Sequence, residues 1–311
     1  MNVHFGVTLP QIKRSWEDTR AAALEFERLG YDSVWLNDHL YGIPAPGIPI
    51  LEAWTTLSAV GAVTSRVRLG TLVSPVGFRP PALFAKAWAT LDTITGGRVI
   101  AGFGAGWYDA EFRGYGLPFP SVRERLEQLE EALALSKLLW TQERTNFAGK
   151  HFRLESTFCE PKPVQKPHPP LLVGGGGERV LLRIAARHAD IWNNLAVTQD
   201  QLGKKVESLR RHCEQVGRDF STLTVSQQCL VVLGETEKEA AANAEKAQRI
   251  YGGHMGGQGE LAISGTPDVC IEKIRRHLEL GCRMFVIEFF GKDTRVPARL
   301  FAERVMPAFR N

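Results

Sequence analysis

Short runs rich in β-branched and aliphatic residues alternate along the whole chain with longer segments whose apolar positions recur at helical spacing. Eight runs read as strands: residues 3–8, 33–36, 67–73, 98–103, 171–173, 191–193, 224–233 and 284–289. Between them, residues 15–29, 51–64, 81–93, 122–140, 179–186, 199–216 and 267–280 carry the period of amphipathic helices. Strands joined through helices predict β/α units around a parallel sheet, and eight such strands predict an α/β fold, a single (β/α)8 TIM barrel over residues 1–311. Local signals agree. Gly30 and Gly281 stand where two helices need a left-handed C-terminal residue, and Thr266 precedes Pro267 as an N-cap precedes a first-turn proline.

Two stretches exceed a minimal barrel. Residues 143–170, rich in proline and basic residues, read as a non-barrel insertion, and residues 252–260, which begin GGHMGGQG, read as a lid or as a mobile surface loop. Composition narrows the picture further. The 311 residues are 44% hydrophobic and 23% charged with a net charge of +4, so the chain can bury a core. Its basic residues are scattered, which argues against nucleic acid as a partner. Five widely spaced cysteines without a CxxC pair argue against a disulfide framework and a metal site, and suit a reducing compartment. With no signal-peptide pattern before the first strand and no membrane-length apolar run, the expectation is a cytoplasmic protein without a membrane span.

Active sites of β/α barrels are built from the loops after the strands' C-terminal ends. At the second such place an apolar strand ends in Asn37-Asp38-His39, where the imidazole can move a proton and the neighbouring carboxylate can orient it. The plainer reading makes Asp38 a turn cap and His39 a packing residue. After the fourth strand, Gly102, Gly104 and Gly106 let a ligand approach the backbone, and Trp107 and Tyr108 follow with flat apolar surface, Asp109 and Glu111 just beyond. This is not a dinucleotide fingerprint, because no β/α/β unit with a downstream acid accompanies it. After the fifth strand, Gly174-Gly175-Gly176-Gly177 open into a helix, and their N–H groups can cradle a phosphate; a flexible turn is the alternative. Neither a Gly-x-Ser-x-Gly elbow nor a His-Glu-x-x-His pair is present, so hydrolysis and metal chemistry rank low.

Taken in order, FGVTLPQ, LGYDSVWLNDHL, RVRLGTLVSP, PALFAKAWATLDTITGGRVIAGFGAGW, LLVGGGGERVLLRIAARHADIWN and ISGTPDVCIEKIRRHLELGCRMFVIEF resemble the bacterial luciferase-like monooxygenase superfamily. They are most similar to its branch of oxidoreductases using the deazaflavin coenzyme F420. The resemblance implies F420 as cofactor, with FMN as the alternative, and hydride transfer to or from a small-molecule substrate. It implies that Asp38 and His39 lie beside the reactive ring, with His39 as proton donor or acceptor and Asp38 orienting it. It further implies that Gly174, Gly175, Gly176 and Gly177 hold the phosphate. Leu72 and Val73 map to a ligand-contacting bulge, often with a non-proline cis peptide, and Gly106 to the cofactor site. Relatives are commonly homodimers that pack early barrel helices, here 51–64 and 81–93.

The chain departs from the sugar-phosphate dehydrogenases of that branch. They carry an acidic residue after the fourth-strand glycines, where this chain has Trp107, and a tryptophan soon after the Asp-His pair, where it has residues 41–44, Tyr-Gly-Ile-Pro. Trp107 and Tyr108 as substrate contacts favour an apolar or aromatic substrate over a sugar phosphate. An FMN-dependent monooxygenase and a non-catalytic flavin-binding barrel are the competing readings.

Overall fold

The apolar runs form strands that close into a ring. In the computed structural model, which describes residues 3–43, 45–257 and 259–310, β1 (His4–Thr8) pairs in parallel with β2 (Ser33–Leu36). The ladder continues through β3 (Arg68–Thr71), β4 (Val99–Gly104), β5 (Leu171–Gly174), β6 (Ile191–Asn194), β7 (Thr224–Leu233) and β8 (Cys282–Phe289), which returns to β1. Around it lie α1 (Trp16–Arg28), α2 (Ala53–Val63), α3 (Pro81–Thr95), α4 (Val122–Thr141), α5 (Leu181–His188), α6 (Leu202–Gln215), α7 (Glu237–Tyr251), α8 (Pro267–Glu279) and α9 (Arg295–Arg304). The expected eight-stranded α/β barrel is the fold observed. Pro44, in the 41–44 stretch, and Gln258, in the expected lid, fall outside the described residues.

Local chemistry accounts for the boundaries. Ser15 with Asp18, and Ser121 with Glu124, form reciprocal capping boxes at the starts of α1 and α4. Gly30 and Gly281 take φ of +83° and +95° after α1 and α8. Thr266 makes no side-chain capping bond, so the first-turn proline marks the start of α8. β3 is shorter than its apolar run. After Thr71 the chain bulges through the cis peptide Leu72-Val73, and Ser74–Pro75 then pairs with Phe103 and Gly104 of β4. The pattern of hydrophobic residues passed over α7, whose sequence buries only Ala240 and Ala247 and so carries almost no apolar stripe.

The core has two layers. Side chains of Val7, Leu36, Phe103 and Val173 point outward into the shell between ring and helices. Trp35, Leu72, Ile100, Leu172, Met284 and Val286 fill the inside of the ring. Gly6 and Gly70 make room for the Trp35 indole, since a Cβ at either would fall within 2.5 Å of its ring atoms. In the 143–170 stretch an antiparallel hairpin, Thr145–Ala148 with Arg153–Thr157, stands outside the ring. It is tied to α4 by Glu131, which accepts the N–H groups of Lys150, His151 and Phe152.

β7 outruns its neighbours and extends past the mouth, where Ile263–Gly265 pairs with it. Its Gln228 is in register with Val286, and Leu230 with Glu288, so Leu230 faces the barrel interior as Val286 does. Leu230 and Val232 pack with Ala247, Tyr251, Met255 and Phe290, which sets α7 over the inner face of the protruding strand. All five cysteines are buried free thiols. Among the described residues no helix is long and apolar enough to cross a membrane.

Candidate active site

The end of β2 sends consecutive side chains to opposite sides, as extended chain must. Trp35 points into the ring; Asp38 points out of it and is buried, and its carboxylate accepts from Ser74 Oγ at 2.5 Å and from both terminal nitrogens of Arg79 at 2.7 and 3.2 Å. Arg79 also reaches Glu52 at 2.7 Å. Burial pushes the Asp38 carboxyl above its ordinary range, against the pull of Arg79 and Ser74. The expectation that Asp38 orients His39 is therefore corrected. Both carboxylate oxygens are engaged on the far side of the strand.

Glu111 takes the orienting place. His39 Nδ1 lies 2.9 and 3.1 Å from its two carboxylate oxygens, and Glu111 also accepts the N–H groups of Leu40 at 2.8 Å and Tyr41 at 3.3 Å. A carboxylate that gathers several N–H donors is the acceptor towards Nδ1 as well, which fixes the tautomer and leaves Nε2 as the free proton site. Nε2 has no hydrogen-bond partner among the described residues. The imidazole side chain is 18% exposed, enough to meet a ligand. Its edge faces Trp107 at 5.8 Å and Tyr108 at 6.5 Å, and these two rings stack on each other at 5.2 Å.

The strand-end glycines divide by what fills the space beside them. The Thr71 carbonyl occupies the place of a Cβ at Gly102, Val73 that at Gly104, and Phe112 with Pro75 that at Gly106, whose φ is +79°. These glycines accommodate the β3 bulge and a tight turn, so at Gly102 and Gly104 the small residue serves the chain's own packing. Val73 also fills the space beside Gly174, and Gly175 has φ of +141° with Leu181 against it. Gly176 and Gly177 are different. Nothing stands closer than 3.2 Å to a Cβ at the first or 3.5 Å at the second, and that nearer neighbour of Gly176 is an ammonium, Lys205 Nζ.

Lys205 is buried in α6 and donates to the Gly176 carbonyl at 2.5 Å. Burial lowers its pKa, opposed by Glu178. The N–H groups of Gly176, Gly177 and Glu178 have no partner among the described residues, and α5 begins without a side-chain cap. Unpaired N–H groups at a helix start beside a lysine have the donor chemistry of an anion site, and a phosphate fits them. Across the mouth, His254 of the 252–260 stretch reaches to 6.5 Å from Trp107. His39, Trp107 and Tyr108 thus stand together, and the glycine run opens at the C-terminal end of β5, on the same side of the barrel.

The luciferase-like monooxygenase family model matches residues 2–284. The chain belongs to that family. Within it, an F420-dependent glucose-6-phosphate dehydrogenase of Nakamurella multipartita is 30% identical over 93% of this chain and 91% of its own length. An FMNH(2)-dependent dimethylsulfone monooxygenase of Pseudomonas putida is 31% identical over 61% of this chain and 51% of its own. Among solved structures, an F420-dependent secondary alcohol dehydrogenase in complex with an F420-acetone adduct superposes with a TM-score of 0.83 over 100% of both chains at 22% identity, a likeness of fold.

Three polar groups of this luciferase-like barrel escape a reading of local sequence. Glu111 was visible beside Trp107 but without a partner, Lys205 lies in a helix 29 positions beyond Gly176, and Glu288 lies one residue before the end of β8 inside an apolar run. The alternation of β8, which turns Met284 and Val286 inward, is the one signal that places Glu288 at the mouth.

Proposed function

We propose that the protein is an F420-dependent oxidoreductase that moves a hydride between the deazaflavin and a small, apolar or aromatic substrate at the barrel mouth. The observation that carries this reading is the pairing of two sites across one mouth: an anion cradle at Gly176 and Gly177, and an imidazole with a free Nε2 held by Glu111. The cradle's residues would hold the phosphate of the coenzyme, with Lys205 supplying the nearby positive charge. When bound, F420 supplies a carbon that gives or takes a hydride. His39 Nε2 is placed to hold or move the substrate proton, Glu111 orients the ring, and Trp107 and Tyr108 supply flat walls. Asp38 acts behind the strand as an anchor for the loop.

Segment 252–260 serves in this reading as a lid. His254 meets Trp107, and Gly256 rests against the Ala196 carbonyl. The five buried thiols suit a cytoplasmic location. Leu83 and Ile94, exposed three turns apart on one face of α3, suit a homodimer contact. Titration of the purified chain with F420 and with FMN, followed by fluorescence, tests the cofactor. Tighter F420 binding is expected, and equal or tighter FMN binding overturns the reading in favour of an FMN-dependent monooxygenase.

A further inference from the structure

One carboxyl at the mouth has no part in the chemistry above. Met284 and Val286 of β8 point into the ring, so Glu288, next in the alternation, stands on the same face at the strand's C-terminal end. The Tyr251 hydroxyl donates to Glu288 Oε1 at 3.2 Å. Tyr251 is the last residue of α7, immediately before the 252–260 stretch, and it packs with Leu230, Met255 and Phe290. Among the described residues the carboxyl is thus flanked by apolar side chains and hydrogen-bonded by a single phenol. Burial pushes the Glu288 carboxyl up and the Tyr251 phenol up, which marks the surround as one that disfavours negative charge.

Such a pair has a definite selectivity. A neutral hydroxyl on the substrate can donate to the carboxyl, and a neutral carbonyl can accept from the phenol. A phosphate or carboxylate at the same place would bring a second negative charge into an apolar surround, at a cost of several kcal/mol unless a cation came with it.

We infer that Glu288, with Tyr251, is a specificity-determining residue that admits an uncharged alcohol or carbonyl compound to the barrel mouth and rejects its anionic counterpart. This rests on the proposed oxidoreductase reading for what the compound is used for, and it narrows the substrate class to neutral, largely apolar molecules. It contrasts with the relatives named for glucose 6-phosphate.

The test uses matched probes on the full-length chain loaded with F420: benzyl alcohol against benzoate, with glucose 6-phosphate as a second anion. Binding is read from tryptophan fluorescence and thermal shift, without turnover. The parent should bind benzyl alcohol at least about tenfold more tightly than benzoate, about 1.4 kcal/mol. Glu288→Gln should narrow that ratio to within about threefold by strengthening benzoate, and Glu288→Asp should restore it. A ratio near one in the parent, absence of saturable benzyl alcohol binding, saturable glucose 6-phosphate binding, or a ratio unchanged in a folded Glu288→Gln each overturns the inference. Should F420 itself fail to bind, the oxidoreductase reading fails, and the same ratios measured on the F420-free chain still decide the role of Glu288.

Discussion

His39 and Glu111 lie 72 positions apart in sequence, and the fold brings Nδ1 of one within 2.9 Å of Oε1 of the other. The short helix Asp109–Gly114 carries Glu111 from the end of β4 to the end of β2, where it also collects the Leu40 and Tyr41 N–H groups. One carboxylate therefore sets both the tautomer of the imidazole and the course of the loop that bears it.

Glu111→Gln separates those two duties. The amide keeps the shape and can still accept one backbone N–H, but it can also turn an N–H towards Nδ1 and select the opposite tautomer. The rate of hydride transfer should fall by roughly 10²-fold or more, with cofactor affinity changed far less. Stopped-flow measurement of F420 reduction checks this, and an unchanged rate would make the contact a loop anchor only.

Asp38 is predicted to matter for stability instead. Its carboxylate is fully enclosed and is balanced by Arg79, so Arg79→Met leaves a buried charge with Ser74 alone and should cost about 3 kcal/mol in urea unfolding. Adding Asp38→Asn should recover part of that loss, because the stranded charge goes with it. A double variant no more stable than Arg79→Met would show that the ion pair is not what holds the strand end.

Acid stability has a separate handle. Glu25 of α1 binds Arg28 of its own helix and Arg299 of α9, and these bonds lower its pKa from 4.5 to about 2. A carboxyl depressed in the folded state stabilises it above the unfolded pKa, and the benefit is lost as pH falls through the folded one. The stability difference between parent and Glu25→Gln should be constant above about pH 5 and vanish as pH falls from 4.5 towards about 2. A difference that does not change with pH across that window would mean the bonds do not form in solution.

The barrel and much of its mouth were legible because both are local signals. Apolar runs of strand length, the Ser15 and Ser121 caps, the glycine run after β5 and the His39 strand end each show within a dozen residues. The Leu72-Val73 bulge was legible through family resemblance. What stayed hidden was partnership across the ring. Adjacency in sequence pointed to Asp38 as the partner of His39, yet neighbours on extended chain diverge, and the true contact comes from another strand's loop. Glycine content misled in the same way at Gly102 and Gly104, where the space is taken by the chain's own bulge.

The glycine run can be tested more cleanly now that its members differ. Gly175 has a φ no β-branched residue tolerates and Gly174 abuts Val73, so substitutions there would disturb the fold whatever the loop binds. Gly177→Val meets only Leu181 at 3.5 Å, so the fold should hold while the side chain obstructs the cradle. F420 affinity should fall by about tenfold or more with little change in melting temperature. Unchanged affinity would reduce the run to a turn.

His39→Ala carries the proposed chemistry most directly. If Nε2 holds or moves the substrate proton, the alanine variant should lose roughly two to four orders of magnitude in hydride-transfer rate, while F420 affinity stays within about threefold. Single-turnover stopped flow reports that step apart from binding and product release. The pairing with Glu111 supplies an internal control, because two residues that act as one unit are not additive. In the His39→Ala background, Glu111→Gln should cost almost nothing further in rate, since the imidazole it orients is gone. Equal losses from Glu111→Gln in both backgrounds would mean that Glu111 acts on the substrate or the loop independently. An unchanged rate with weakened binding in His39→Ala would make the imidazole a cofactor contact, and the proton would have to be handled elsewhere at the mouth.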